Sequence, residues 1–188
     1  MAERATKGLD WKRVARRIRV PLGFVFAVIY IWLATPTWVS IAAGGLIAAV
    51  GVWVRAIASG HVKKNEELTT TGPYARTRNP LYLGSIIIGI GFAVAALSLW
   101  IVLLLVVMFA AIYVPVIRGE EQFLSSRFPE FAGYAARVPR LVPRLGGQGD
   151  SGPGFSRRLY LQHREYNASI GAVLMLAALA AKLIWISQ

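Results

Sequence analysis

The residues with the clearest chemical potential lie in the stretch Gly72–Gly84 and in the acidic pair Glu120-Glu121. The stretch reads Gly-Pro-Tyr-Ala-Arg-Thr-Arg-Asn-Pro-Leu-Tyr-Leu-Gly. Its arginines can bind a carboxylate or a phosphate bidentately, and its asparagine carries both a donor and an acceptor. The two glutamates offer acceptor oxygens. Together these residue types predict a polar binding site, and Pro80 is well placed in the first turn of the apolar helix that follows.

The composition indicates that this site belongs to a membrane protein. A length of 188 residues is enough for one domain, and 56% hydrophobic residues with a mean hydropathy of +0.53 are too apolar for an ordinary soluble fold. The net charge of +12 comes from blocks of cations beside apolar runs, without a nucleic-acid motif. We therefore expect the cations to bind anionic lipid headgroups and not nucleic acid.

Metal and disulfide chemistry have little support in this sequence. The chain has no cysteine, which excludes disulfides and thiolate ligands. Its two histidines lack the spacing of a zinc motif, so we expect no metal site.

Apolar runs of helical length predict an all-α, polytopic fold with about five transmembrane helices. They cover residues 21–34, 39–58, 81–97, 100–117 and 168–186. The third and fourth runs are separated only by Ser98-Leu99, which predicts a tight helical hairpin that returns Glu120 to the membrane face of Arg76. Lysine and arginine number seven before the first run, four in 59–80 and eight in 118–167, against none in the two opposite turns. The positive-inside rule then places the N-terminus and the polar site in the cytoplasm.

We interpret the chain as a single domain with five parts. A basic interfacial segment (1–19) precedes a four-span core (20–117). A cytoplasmic interfacial cap (118–145), broken by prolines, is followed by a glycine-rich linker (146–155). An amphipathic stretch and the fifth span complete the chain (156–188). The first apolar run lacks a small-residue cleavage site, so we expect it to be a retained span and not a signal peptide.

From Gly51 to Pro143 the sequence resembles the isoprenylcysteine carboxyl methyltransferase and phospholipid methyltransferase family. That family's pattern is Gly-Pro-Tyr, a basic pair, His-Pro or Asn-Pro, and then x-Tyr-x-Gly. The matching positions are Gly72, Pro73, Tyr74, Arg76, Arg78, Asn79, Pro80, Tyr82 and Gly84. Asn79 stands where the isoprenylcysteine enzymes usually carry histidine, which removes a titratable group and keeps a donor and an acceptor.

The resemblance implies S-adenosylmethionine as the cofactor and implies roles for named residues. Arg78, Glu120 and Glu121 would be catalytic. The cofactor site would consist of His61, Tyr74, Arg76, Arg78, Asn79, Pro80, Tyr82, Glu120, Glu121 and Arg137. Structural roles are also open to these residues: lipid-phosphate contacts for the arginines, an aromatic belt for the tyrosines and an interfacial hydrogen bond for His61. Arg55, in the last turn of the second run, either reaches the headgroups or helps to position the cofactor.

The expected activity is methyl transfer to a lipophilic acceptor that enters from the bilayer. The Gly-Pro-Tyr opening and the Val-Pro-Arg-Leu-Val-Pro ending favour an isoprenylcysteine carboxylate, which is our first choice. Asn79-Pro-Leu-Tyr-Leu-Gly-Ser85 favours a phospholipid amine instead, as in a phosphatidylethanolamine N-methyltransferase. The sequence is also compatible with a sterol-reductase-like enzyme that binds NADPH and with a non-catalytic lipid-binding membrane protein.

Overall fold

A computed structural model describes residues 23–63, 67–144 and 154–188. The regular structure in these ranges is helical, which confirms the predicted all-α class. The helices are α1 (Gly23–Leu33), α2 (Trp38–His61), α3 (Pro80–Ala96), α4 (Leu99–Arg127), α5 (Phe131–Arg137), α6 (Arg157–Gln162) and α7 (Tyr166–Ile186), with one 3₁₀ turn at Gly72–Ala75. The predicted basic segment and most of the predicted linker lie outside the described residues.

Three of these helices, α2, α4 and α7, are long and apolar enough to cross a membrane. The described part of α1 and the 17-residue α3 are shorter apolar helices. All five coincide with the predicted apolar runs, which supports a polytopic membrane protein.

Helix α4 differs from the prediction at its end. The sequence suggested that the helix stops near Ile117, where charged residues begin, but α4 continues to Arg127. Charge does not break a helix, whereas the Phe128-Pro129 pair does. Pro115 is accommodated inside α4 because a π-helical turn, Phe109–Tyr113, directly precedes it. The first ten residues of the predicted cap are therefore part of α4, and Glu120 and Glu121 lie well inside a helix.

Contacts at one end of the bundle show which ends of the helices lie together. Thr35 N donates to Ala96 O at 2.8 Å, which joins the end of α1 to the end of α3. Lys182 Nζ, near the end of α7, donates to Ile31 O and Ala34 O, both at 2.6 Å. The segment that connects α2 to α3, the end of α4 and the start of α7 therefore lie together at the opposite end.

Helices α2 and α3 form the tightest contact in the described part of the chain. Gly51 faces Gly84, where an added Cβ at Gly51 would lie 2.6 Å from Gly84 O. Gly91 faces Gly44, with the same 2.6 Å to Gly44 O. The glycines let the two backbones touch. The segment that connects these helices is thus attached at both ends to a closely packed helix pair.

Candidate functional site

Glu121, on the polar end of α4, is the centre of a charged cluster. Arg140 Nη2 lies 2.7 Å from Glu121 Oε2, and Arg140 Nε donates to the same oxygen at 3.0 Å. Arg78 Nε lies 3.1 Å from Oε1, and Asn79 Nδ2 donates to Oε1 at 3.3 Å. The side chains of Arg78 and Glu121 are 13% and 11% exposed, whereas that of Arg140 is 49% exposed. The cluster thus joins three segments at a largely buried point. They are α4, the loop before α3 (residues 72–79, the motif loop) and the chain after α4 (residues 128–144, the cap).

This cluster carries one more positive than negative charge. Arg78 Nη1 donates to Ala135 O at 2.9 Å, but the buried Arg78 Nε has no hydrogen-bond partner among the described residues. Its 3.1 Å approach to Glu121 is an ion pair whose angle does not make a hydrogen bond. The surplus cation of the cluster therefore favours an anionic ligand group.

Backbone hydrogen bonds hold the cap against the motif loop. Arg78 N donates to Pro139 O, and Arg144 N donates to Arg76 O, both at 2.9 Å. Thr77 Oγ1 donates to Arg140 O at 3.2 Å. The extended chain after α5 therefore runs beside the loop, and this pairing presents Arg140 to Glu121.

Two tyrosines fill the space behind the loop. Tyr134 Oη donates to Tyr74 O at 2.8 Å, and both side chains are buried. Burial raises the pKa of Tyr74 well above its usual value, and Tyr134, Glu120, Glu165 and Tyr82 raise that pKa further. Burial likewise raises the pKa of Tyr134, which the charge of Arg78 partly offsets. Both phenols therefore stay neutral hydrogen-bond donors at physiological pH.

A further ion pair links α2 to Glu165, which directly precedes α7, the C-terminal span. Arg55 Nη2 lies 2.7 Å from Glu165 Oε2, and Arg55 Nε donates to the same oxygen at 3.1 Å. Arg55 Nη1 donates to Leu81 O at 3.2 Å and to Ser85 Oγ at 2.5 Å. A Cβ on Gly84 would lie 2.5 Å from Arg55 Cγ, so the last glycine of the motif leaves room for the arginine side chain.

Glu165 was not predicted as a site residue. In the structure Arg55 pairs with Glu165, and neither side chain is more than about one-fifth exposed. The two roles that the sequence offered for Arg55 stay predictions. One signal was present: Glu165 is the sole carboxylate between residue 151 and the C-terminus, directly before an apolar run. An isolated carboxylate at the head of a membrane span is expected to have a partner.

The structure places His61 beside the glycine that opens the motif. His61 Nδ1 lies 2.8 Å from Ile57 O, so Nδ1 carries the proton. Gly72 has a φ of +58°, and a Cβ there would lie 2.5 Å from His61 Cδ2. Glycine is required at this position both by the backbone conformation and by the close imidazole.

The other predicted residues lie at varied distances from the charged cluster. Pro80 is the first residue of α3, and the rings of Tyr82 and Tyr113 meet edge to face with 5.5 Å between their centres. Arg76 and Glu120 are exposed. Arg137 Nε donates to Gly133 O in its own helix and does not reach Glu121. The structure thus brings together Arg78, Asn79 and Glu121, and adds Arg140.

The fold and the site define a polytopic helical membrane protein with a charged site at one end of its bundle. Residues 22–130, more than half of the chain, match the phospholipid methyltransferase family, and the chain belongs to this family. This membership confirms the family group that the motif indicated. It also supports an enzyme that transfers methyl groups at the membrane.

Two curated relatives match part of the chain. The chain is 43% identical over 103 residues to the cobalt-zinc-cadmium resistance protein CzcN of Cupriavidus metallidurans, covering 54% of the chain and 47% of that protein. It is 40% identical over 116 residues to the nickel-cobalt-cadmium resistance protein NccN of Alcaligenes xylosoxydans xylosoxydans, covering 58% and 54%. The chain thus spans about half the length of these relatives. No solved structure matches it.

Proposed function

We propose that this protein transfers a methyl group from S-adenosylmethionine to a lipophilic acceptor from the bilayer. The proposal rests on the cluster of Arg78, Glu121 and Arg140, which the family's motif holds at the end of the membrane bundle. When bound, S-adenosylmethionine supplies a methyl group on a positively charged sulfur.

The residues present fit this cofactor. The surplus cation of Arg78 and Arg140 suits its amino-acid carboxylate, because guanidinium groups bind carboxylates strongly. The Glu120 side chain is exposed and makes no hydrogen bond or ion pair with any described residue, so its carboxylate can accept from a hydroxyl or an ammonium group. The neutral phenol of Tyr74 is available as a donor.

This reaction requires little from the protein beyond positioning of the reacting groups. The acceptor's oxygen or nitrogen forms a bond to the methyl carbon while the carbon–sulfur bond breaks, and the electron pair stays on sulfur. Holding the reacting atoms in line can contribute about 7 to 11 kcal/mol. An amine acceptor must also lose a proton, and Glu120 is the base that we propose, since two arginines already engage the carboxylate of Glu121.

Two acceptor chemistries have support from different observations. The Gly-Pro-Tyr opening and the Val-Pro-Arg-Leu-Val-Pro ending favour a prenylated cysteine carboxylate, the first choice from the sequence. The match to the phospholipid methyltransferase family favours the amine of a phospholipid such as phosphatidylethanolamine.

One assay separates these acceptors. Purified protein in lipid receives labelled S-adenosylmethionine with either acetyl-farnesyl-cysteine or phosphatidylethanolamine. A base-labile product identifies a carboxyl ester, and a base-stable product identifies a methylamine. Binding of NADPH without binding of S-adenosylmethionine would instead establish a reductase, and binding of neither would support a non-catalytic lipid-binding protein.

We also propose that this methyl transfer contributes to metal tolerance. The support is the 43% and 40% identity to proteins named for resistance to cobalt, cadmium and zinc or nickel. Cells that lack the protein should grow more poorly in cobalt or cadmium, and expression of the Arg78→Ala variant should not restore growth. Equal growth with and without the protein would refute this role.

A further inference from the structure

Three residues between α6 and α7 form a tight turn against α2. They are His163, Arg164 and Glu165. His163 Nδ1 lies 3.1 Å from Ser59 O, and Glu165 Oε2 accepts from Arg55 Nη2 at 2.7 Å. Arg55 and Ser59 are four residues apart on α2, so these two contacts lie on one face of that helix. The turn is therefore held to α2 at both of its ends.

The middle residue of this turn has an unusual backbone conformation. Arg164 has a φ of +53°, in the left-handed region that residues with a side chain rarely adopt. Its side chain is exposed, so packing of that side chain does not explain the conformation. Such conformations persist where surrounding contacts impose them, and here the contacts are the two that hold the turn to α2. The strained residue directly precedes Glu165 and sets the direction in which that carboxylate leaves the chain.

The start of α3 lacks the usual side-chain cap. Asn79 occupies the N-cap position, but its side chain makes no capping hydrogen bond. Asn79 Nδ2 instead donates to Glu121 Oε1 at 3.3 Å and to Arg140 O at 3.1 Å. Asparagine is among the best N-cap residues, and a missing cap lowers the stability of a helix end. The first turn of α3 therefore depends on contacts from other parts of the chain.

Arg55 supplies such a contact from α2. Its Nη1 donates to Leu81 O at 3.2 Å and to Ser85 Oγ at 2.5 Å, and Ser85 Oγ in turn donates to Leu81 O at 3.1 Å. A cation is unfavourable near the N-terminus of a helix, however, because the backbone dipoles place positive charge there. A carboxylate beside the guanidinium offsets this repulsion, and Glu165 is the carboxylate that contacts Arg55 in the described ranges.

Removing the charge of Glu165 would release Arg55 from α3. The side chains of Arg55 and Glu165 are 20% and 11% exposed, so water would compensate little for the lost anion. The long arginine side chain would turn toward the lipid headgroups, and its hydrogen bond to Leu81 O would break. Leu81 lies three residues after Arg78, so the motif loop would shift together with the start of α3.

We propose that Glu165 is a positioning residue for the cofactor: by holding Arg55 at the start of α3, it keeps the motif loop in the geometry that binds S-adenosylmethionine. The inference rests on the proposed function and adds to its site a residue from beyond residues 22–130, the part that matches the family. No described residue donates to Glu165 Oε1, so a direct contact with the cofactor is the rival role that the experiment separates.

Hydrogen–deuterium exchange tests the positioning without cofactor. The full chain is measured in lipid nanodiscs, and the exchange of peptides from residues 72–85 is compared between variants. Glu165→Gln should raise the exchange rate there about fivefold or more, because the start of α3 loses a contact. Glu67→Gln is the matched control, since Glu67 is also ion-paired, to Lys63, but is 51% exposed, and it should leave this exchange unchanged. Unchanged exchange in Glu165→Gln, or an equal rise in both variants, would overturn the proposal.

Calorimetric titration with S-adenosylmethionine separates positioning from direct contact. Glu165→Gln should weaken binding about fivefold or more in the wild-type background. In a protein that already carries Arg55→Gln, the same change should alter the affinity less than about twofold, because Glu165 acts through Arg55. An equal loss of affinity in both backgrounds would show that Glu165 acts independently of Arg55 and would overturn the proposal.

The turn offers a second pair of variants if Glu165→Gln fails to fold. Arg164→Gly and Arg164→Val remove the same exposed charge, but glycine accepts a positive φ and valine does not. Arg164→Val should bind S-adenosylmethionine about threefold or more weaker than Arg164→Gly and should exchange faster at residues 72–85. Equal values for the two variants would overturn the proposal. A wild-type protein that does not bind S-adenosylmethionine would refute the proposed function, whereas the exchange measurement would still decide whether Glu165 positions the motif loop.

Discussion

Replacing Glu121 by glutamine should destabilise the protein more than the same change at its neighbour Glu120. Glu121→Gln keeps the shape of the side chain but leaves Arg78, 13% exposed, without an anion. Breaking a buried pair by removing one partner costs about 3 to 5 kcal/mol. The lower limit is appropriate here because Arg78 still donates to Ala135 O, and because the half-exposed Arg140 contributes at most about 1 kcal/mol through its pair.

A loss of about 3 kcal/mol corresponds to a fall in Tm of about 6 to 12 °C for a chain of this size. Tm is measured by intrinsic fluorescence in one detergent, without cofactor, because a bound ligand would itself raise Tm. Glu120→Gln makes the same change of charge one residue away, at an exposed side chain with no described partner, and should alter stability by less than about 0.5 kcal/mol. Equal changes in Tm for the two variants would refute the view that Glu121 joins α4 to the loop and the cap.

Three further outcomes follow from the same geometry. Arg78→Ala should weaken S-adenosylmethionine binding by about 1.5 to 3 kcal/mol in a calorimetric titration, whereas Arg76→Ala, at an exposed side chain, should change the affinity less than threefold. Equal losses of affinity in the two variants would contradict a specific contact between Arg78 and the cofactor. Gly84→Ala should lower the free energy of unfolding by about 1 to 3 kcal/mol because its Cβ would meet Arg55 Cγ and Gly51 O, whereas at Gly89 the nearest atom is 3.8 Å away and alanine should be tolerated. Tolerance of alanine at both positions would disprove the close packing of α2 against α3. Since the pKa of Tyr74 is raised in the folded state, the free energy of unfolding should fall as pH rises above about 10, by up to about 1.4 kcal/mol per pH unit. Tyr74→Phe should therefore show a smaller fall in Tm between pH 9 and pH 11 than the wild-type protein.

The sequence predicted the helical architecture because hydropathy and loop length determine it. Each apolar run became a helix, and the short turn at Ser98 returned the chain to the face it had left. The expected meeting of the two polar segments is confirmed by the contact of Arg78 with Glu121 across 43 residues of chain. That this end faces the cytoplasm stays a prediction from the distribution of lysine and arginine.

The sequence could not predict how the charges would pair. Arg78 and Glu121 were both assigned to the cofactor, yet in the structure they contact each other and Arg140 completes the cluster. Ion pairs depend on the relative rotation of helices far apart in sequence, and no local pattern encodes that rotation. Arg55 and Glu165 are 110 residues apart, so their contact could be anticipated only from the isolation of each charge beside an apolar run.

The contact of Arg55 with Glu165 gives the C-terminal span a role in the geometry of the motif. Glu165 lies outside residues 22–130, the part that matches the family, whereas Gly84 and Arg55 lie inside it. Gly84 has no side chain, so the stem of Arg55 can pass across α3 and its guanidinium can reach Leu81 O. A partly buried guanidinium in this apolar setting needs an anion, and Glu165 is the carboxylate that contacts it. The family's glycine, the arginine of α2 and a carboxylate from beyond the matched region therefore act together to fix the start of α3, from which the motif loop presents Arg78 and Asn79 to Glu121.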